Sequence, residues 1–267
     1  MKCTFLGTGP AIAIPRPGHS DPVCRAARKG EKSRRMRSAA LLGEDGITIL
    51  IDAGPDIAEQ LEQVGSRRID AIFLTHAHSD ASGGMRVLSR WLEARIPSQT
   101  IDLHAHPSVI RRLRKVYTLS HLRYRPLRPY ATVRVGRLRI TPFPVRHSMT
   151  PGFPTFGFAF GKRFAYASDV ASLPAQSKRM LKNTNTLALD GAMWFGSHIA
   201  SHLSAPESIT LAGKLGVRRL ILTQIGHSYP PHEDAEKTIR TYMRSCKTAK
   251  PKSAFLAFDG MKIRLNR

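Results

Sequence analysis

Short apolar runs alternate along this chain with segments of helical period, and that alternation limits its fold more than any other feature. The runs 69–74, 186–189 and 220–223 read as strands, whereas 57–64, 85–94, 109–117, 208–215 and 235–243 place apolar residues at helical spacing. Glu44-Asp45-Gly46, Gly136 between Val135 and Leu138, and Gly161-Lys162 carry the turn chemistry of hairpins. Together they predict an α/β (α+β) chain with helices on the outer faces of two sheets. With 267 residues, 42% of them hydrophobic, and no sharp shift in composition, a single domain over 1–267 is expected. Pro15-Arg16-Pro17-Gly18 and Tyr229-Pro230-Pro231 mark irregular loops.

The run 69–74 leads directly into Thr75-His76-Ala77-His78-Ser79-Asp80-Ala81-Ser82-Gly83-Gly84. Two imidazoles and a carboxylate therefore leave a strand end together. Histidines spaced i, i+2 at such a junction can turn toward one cation, because the loop frees them from the alternation of a strand. Neutral imidazole suits Zn and similar ions. The glycines are expected to let the chain turn into a helix.

The net charge is +23, concentrated in the segments 25–37 and 111–146. A surface of that sign attracts phosphates and other polyanions, and Tyr117, Tyr124 and Tyr130 interleave the second segment in a way that suits stacking on bases. A uniformly basic, solvated surface accounts for the same composition. Cys3, Cys24 and Cys246 are odd in number and widely scattered, which argues against a disulfide framework. No signal-peptide profile opens the chain and no apolar stretch is long enough for a bilayer, so a soluble cytoplasmic protein is expected.

The block 75–84 resembles the His-x-His-x-Asp-His signature of the metallo-β-lactamase superfamily. Leu6-Gly7-Thr8-Gly9, Ile49-Leu50-Ile51-Asp52-Ala53-Gly54, Val145-Arg146-His147-Ser148 and Tyr166-Ala167-Ser168-Asp169 are similar to its other motifs and occur in the same order. The resemblance implies a four-layer αββα sandwich. It also implies that His76, His78 and His147 bind a first metal, with Asp169 shared or terminal. A second metal would need Asp80, a histidine at position 81 and another within 222–226, where this chain has Ala81 and Gln224. Both losses fall on one metal, so a single-metal or asymmetric active site is expected, with room for a second ion if Gln224 or His232 serves the altered side. Three histidines, a carboxylate and an open position make a catalytic ligand count.

Within that superfamily the chain looks like the PhnP-like phosphodiesterases, which act on phosphoribosyl cyclic phosphates. Gly7-Thr8-Gly9-Pro10 is followed by an irregular loop over 10–37, and the chain closes with Ala257-Phe258-Asp259-Gly260-Met261. That family holds a structural zinc with a Cys-x-Cys-x-x-Cys run and a histidine. The matching positions here are His19, Asp21, Cys24 and His227, each still able to ligate zinc. The same resemblance places a catalytic histidine at His202, with His198 as a substitute and Asp190 as the partner that orients the imidazole. Asp52 and Asp56 read as structural.

The implied activity is a metal-dependent phosphodiesterase using Zn or Mn. In it Asp80 steers a water, His202 protonates the leaving oxygen and arginines hold a cyclic phosphate ester or a nucleic-acid strand. A non-hydrolytic nucleic-acid-binding protein that keeps the fold and one structural zinc is the alternative, motivated by Ala81 and Gln224. Thioester or amide hydrolysis stays open, and a homodimer is compatible with either reading.

Overall fold

Buried strands alone would leave their apolar faces exposed to water, and the chain covers them in four layers. The computed structural model describes residues 1–30, 32–66, 68–95, 99–119, 121–147 and 153–266. Its first half runs β1 (Lys2–Gly7), α1 (Pro22–Arg28), β2 (Ala39–Glu44), β3 (Ile47–Ile51), α2 (Ile57–Gln63), β4 (Ala71–Phe73), α3 (Ser79–Ser82), α4 (Met85–Arg95), β5 (Ile101–Ala105), α5 (Pro107–Val116) and β6 (Leu122–Pro126). The second runs β7 (Val133–Val135), β8 (Leu138–Val145), β9 (Thr155–Phe160), β10 (Phe164–Ala167), α6 (Ala175–Leu181), β11 (Thr186–Asp190), α7 (Ala205–Lys214), β12 (Arg219–Thr223), α8 (His232–Ser245), β13 (Ser253–Leu256) and β14 (Lys262–Arg264).

Two seven-stranded sheets result, ordered β14-β1-β2-β3-β4-β5-β6 and β13-β12-β11-β10-β9-β8-β7. In the first sheet the pairings from β14 to β3 are antiparallel and those from β3 to β6 parallel. The second repeats the scheme, antiparallel from β7 to β10 and parallel from β10 to β13. Among the described residues only β14 crosses between the halves, returning from the second to pair with β1.

Phe5, Ile49, Ile51 and Phe73 of one sheet meet Phe158, Phe164 and Tyr166 of the other in a single apolar cluster. Phe73 and Phe158 touch edge to face, with ring centroids 5.3 Å apart. Each such ring contributes roughly 2–3 kcal/mol by burial. Separate clusters pack α2, α4 and α5 on the first sheet, and α6, α7 and α8 on the second. The αββα layering is thus present.

Asp45 and Gly46 both take positive φ, 49° and 77°, as a two-residue hairpin between β2 and β3 requires. The segment 10–37 differs from the expected irregular loop, because it contains α1. The Asp21 side chain accepts from the Cys24 N–H at 2.9 Å and Pro22 stands in the first turn, so cap and proline nucleate a helix there. Gly83 and Gly84 form the expected turn into a helix, α4, and Gly84 has a second use. A Cβ on Gly84 would lie 2.0 Å from the Gly54 carbonyl oxygen, so glycine permits close packing rather than an unusual dihedral. Among the described residues no helix is long and apolar enough to cross a membrane.

Candidate metal centre

The parallel strands of both sheets deliver their C-terminal ends to one edge, where the polar residues of the sandwich collect. After β3, Asp52 takes φ of 62° and is buried; it accepts from the Thr75 N–H at 2.8 Å and from the Thr75 hydroxyl. Burial pushes this carboxyl well above the usual range, against the hydrogen bonds from Thr75. Since the Thr75 hydroxyl donates to Asp52, its oxygen accepts from His76 Nδ1 at 2.8 Å. That assigns the proton of His76 to Nδ1. Its Nε2 is then a lone pair, buried and without a hydrogen-bond partner among the described residues.

His78 precedes α3 and stacks on Phe153 at 4.3 Å. His147 follows β8 and gives its Nδ1 proton to the Ser201 carbonyl at 3.0 Å. Its Nε2 faces His78 Nδ1 at 3.2 Å and an Asp169 oxygen at 3.9 Å. The structure therefore brings His76, His78 and His147 together, and His76, Asp80 and Asp169 form an overlapping group. In each group the ligand atoms lie within 4.8 Å of one another. Burial pushes His76 down to about 3 and lowers His78, so both rings are neutral, the state that ligates metal. The orphaned Nε2 and the converging lone pairs fit a divalent cation.

Gln224 follows β12 at φ 63°, and its amide donates to Asp169 Oδ1 at 2.8 Å. The Ser168 hydroxyl donates to the other Asp169 oxygen. Non-glycine residues at positive φ are held by their surroundings, and both Asp52 and Gln224 sit at strand ends beside the cluster. Ala81 is buried and its carbonyl accepts from Ala53 N–H at 2.8 Å.

His202 lies against His147, with ring centroids 4.7 Å apart, and donates from Nδ1 to Asp190 at 2.6 Å. Asp190 is fully buried and also accepts from the backbone of Val170 and Ala192. Burial opposes charge on His202, but the Asp190 carboxylate outweighs it and carries the imidazole up to about 9. His198 is exposed and approaches Glu207 instead. One cavity of about 560 Å³ is lined by Ala11, His78, Ser79, Asp80, Arg112, His147, Asp169, Ser201 and His202. Arg112 was visible in the sequence only as part of a basic segment; nothing local indicated that α5 aims it at this cavity.

The remaining predicted residues lie elsewhere. Asp21, Cys24 and His227 form a second group, with Cys24 Sγ 3.8 Å from His227 Nδ1. His227 Nε2 donates to the Ile12 carbonyl at 3.0 Å, leaving Nδ1 free toward the thiol. His19 stands beside Asp21 at 3.8 Å and is half-exposed. His232 opens α8 and accepts from Arg35 at 3.0 Å while its ring meets Phe258, so it is engaged in a buried contact away from the cavity lining. Asp56 accepts from Arg37, as a structural carboxylate does. Ser148, which ends one quoted motif, lies outside the described residues.

Residues 48–225 match the β-lactamase superfamily domain. The chain belongs to the β-lactamase superfamily. It is similar to a diphosphatase of the PhnP family, known as a crystal structure, at 26% identity and a TM-score of 0.85 over 99% of this chain and 98% of that one. An octanoyltransferase of Porphyromonas gingivalis is 26% identical over 251 residues, 92% of this chain and 50% of that protein. A ribonuclease Z of Bradyrhizobium diazoefficiens is 33% identical over 167 residues, covering 59% of this chain and 48% of that enzyme. The superfamily member described here thus spans about half the length of these two curated relatives.

Proposed function

We propose that this chain is a metal-dependent hydrolase that cleaves a phosphodiester at the cluster of His76, His78, His147 and Asp169. The observation that carries the reading is the buried, unpartnered Nε2 of His76, converging with His78 and His147 on a cavity that also holds His202 bonded to Asp190. The names of two relatives, a ribonuclease and a diphosphatase, support phosphate linkages as the substrate class. The histidines favour Zn, and the carboxylates also accommodate Mn. When bound, such a cation lowers the pKa of water and polarises a phosphoryl oxygen.

The chain's own residues supply the rest. Asp80, in the first turn of α3, orients the attacking water and accepts its proton. His202, held protonated by Asp190, gives a proton to the leaving oxygen. Arg112 offers the cavity a fixed positive charge for the phosphate anion. Gln224 gives an amide N–H to Asp169 and leaves its Oε1 buried without a partner among the described residues, so it is placed to serve the altered side of an asymmetric site. A separate zinc held by Asp21, Cys24 and His227, with His19 alongside, would tie α1 to the loop after β12.

Two measurements test this reading: anomalous scattering at the Zn and Mn edges, and turnover of bis(p-nitrophenyl) phosphate by the metal-loaded chain. An ion among His76, His78, His147 and Asp169, with turnover lost in His76→Ala, is the expected result. Ala81 and the Gln224 contact favour a second reading, a nucleic-acid-binding protein without turnover. Metal confined to Cys24 and its neighbours after loading would replace the hydrolase with that reading.

A further inference from the structure

The two basic segments of this chain meet very different partners. In 25–37, Arg35 is buried and donates to Thr8, the Ala257 carbonyl and His232. Arg37 pairs with Asp56, Arg34 with Glu59 and Lys32 with Glu233, while Arg25 and Arg28 donate to backbone carbonyls. That segment's charge is largely spent inside the fold.

In the second segment Arg123 and Arg125 pair with Asp102, whereas Arg114 and Lys115, together with Arg86 and Arg90 of α4, are not matched in this way. A groove of about 420 Å³ runs between α4 and α5, lined by Arg86, Arg90, Arg114, Lys115 and Tyr117, with Glu93 as its acidic residue. All four cations are exposed, and among the described residues none of them makes an ion pair. Glu93 is 3.3 Å from His121. The guanidinium of Arg86 lies over the Tyr117 ring at 5.7 Å, and Val116 in the same wall is 53% exposed. Cations beside an aromatic and an apolar surface suit a strand whose phosphates and bases are both accessible.

The groove adjoins the proposed metal centre. α4 connects β4 to the parallel strand β5, and α5 connects β5 to the parallel strand β6. Both helices therefore start at the edge that carries the histidines, and Tyr117 at the end of α5 lies against Arg86 in the first turn of α4. Arg112 of α5 lines the metal cavity, whereas Lys115, about 4.5 Å further along the helix axis, lines the groove. The Tyr117 hydroxyl also reaches back to the carbonyl of Gly83, three residues after Asp80, at 3.5 Å.

We infer that the groove between α4 and α5 is a second phosphate subsite, which holds a single-stranded nucleic acid whose neighbouring linkage lies in the metal cavity. This deepens the phosphodiester reading above and rests on it. Arg112 contacts the phosphate in the cavity, Lys115 and Arg114 the next ones, and Arg86 and Arg90 face them from α4.

The test uses the full metal-loaded chain and labelled 12-nucleotide single strands of RNA and of DNA, followed by fluorescence anisotropy across a salt series. Variants Arg90→Gln/Lys115→Gln and Arg114→Glu/Lys115→Glu probe the groove, with melting curves to establish folding. Arg244→Gln/Lys247→Gln removes the same charge as the first variant from exposed positions at the end of α8. Two lost phosphate contacts should weaken binding about tenfold at low salt and reduce the log–log salt slope by about 1.4, while the α8 variant stays close to wild type. Equal affinity for RNA and DNA supports recognition of the backbone, and preference for either identifies the source. Equal weakening by groove and α8 variants would overturn the subsite, as would groove-dependent binding to phosphatidylserine vesicles with none to either strand. Turnover of bis(p-nitrophenyl) phosphate reads the metal centre separately. If that turnover is absent while groove-dependent binding persists, the hydrolase reading fails and the groove stands only as a strand-binding site; if turnover persists and groove variants bind strands normally, the subsite fails alone.

Discussion

The two groups of ligating side chains differ in what holds them in place. His76, His78, His147 and Asp169 extend from strand ends whose positions the sandwich core already dictates, and Thr75 with Asp52 fixes the His76 ring from behind. Asp21, Cys24 and His227 join a seven-residue helix to a loop and are held locally, Cys24 by a small apolar cluster with Ile14, Val23 and Ala27 and His227 by the Ile12 carbonyl. Burial lowers His76 and His78 and so favours their neutral, ligating form, whereas burial raises the Cys24 thiol and leaves a cation to draw out the thiolate. A preorganised site suits chemistry; a site that forms with its loop suits stability.

Losing His76 should break that contrast most severely. His76→Ala is expected to reduce phosphodiester turnover to background while Zn remains at Cys24, as read by kinetics and by anomalous peaks. Retained turnover would assign the chemistry elsewhere. Next comes His202→Ala, expected to lower kcat by roughly 10²–10⁴ with metal content unchanged. Asp190→Asn should cost less, roughly 10–100-fold, because it removes the partner and not the acid. If His202→Ala instead releases the metal, His202 is a ligand.

Cys24→Ser sharpens the other side of the comparison. We expect the Zn-loaded variant to melt roughly 2–8 °C lower while kcat on the small diester changes less than about twofold. An unchanged melting temperature would remove zinc from that loop. The smallest effect is a control remote from both groups. Arg163 donates to Glu44 and, with the N-terminal ammonium, holds this carboxyl down at about 2 from its ordinary 4.5. Its contribution is therefore complete above about pH 5 and lost as pH falls toward 2. Glu44→Gln should cost roughly 1–2 kcal/mol at neutral pH, with the difference from wild type shrinking below pH 4 in denaturant titrations. A pH-independent difference would indicate a packing role instead.

Much of this architecture was legible because its signals are local. Hairpin turns, buried runs and helical periods each depend on neighbours in sequence, and His76, His78 and Asp80 lie in one contiguous motif. His147 and Asp169 were legible only through the order of separated motifs. What sequence missed depends on tertiary context. Asp21 reads as a zinc ligand through the resemblance, and only the fold shows that its side chain caps α1. The α8 helix begins at His232, which turns that residue toward Arg35. Gln224 reads as a lost histidine, yet its amide N–H goes to Asp169 while its Oε1 stays unpartnered among the described residues, an arrangement made by residues on separate strands. Arg112 counted as charge until α5 gave it a direction.

The return of β14 to β1 bears on how the protein is made. On the ribosome, strands β1 to β6 emerge long before residues 262–264, so the outer edge of β1 stays open while the second half is synthesised. An unpaired edge of that kind invites pairing with other nascent chains. A chain stalled before residue 262 should therefore be more prone to protease cleavage and chaperone capture than one released after β14 has closed the sheet.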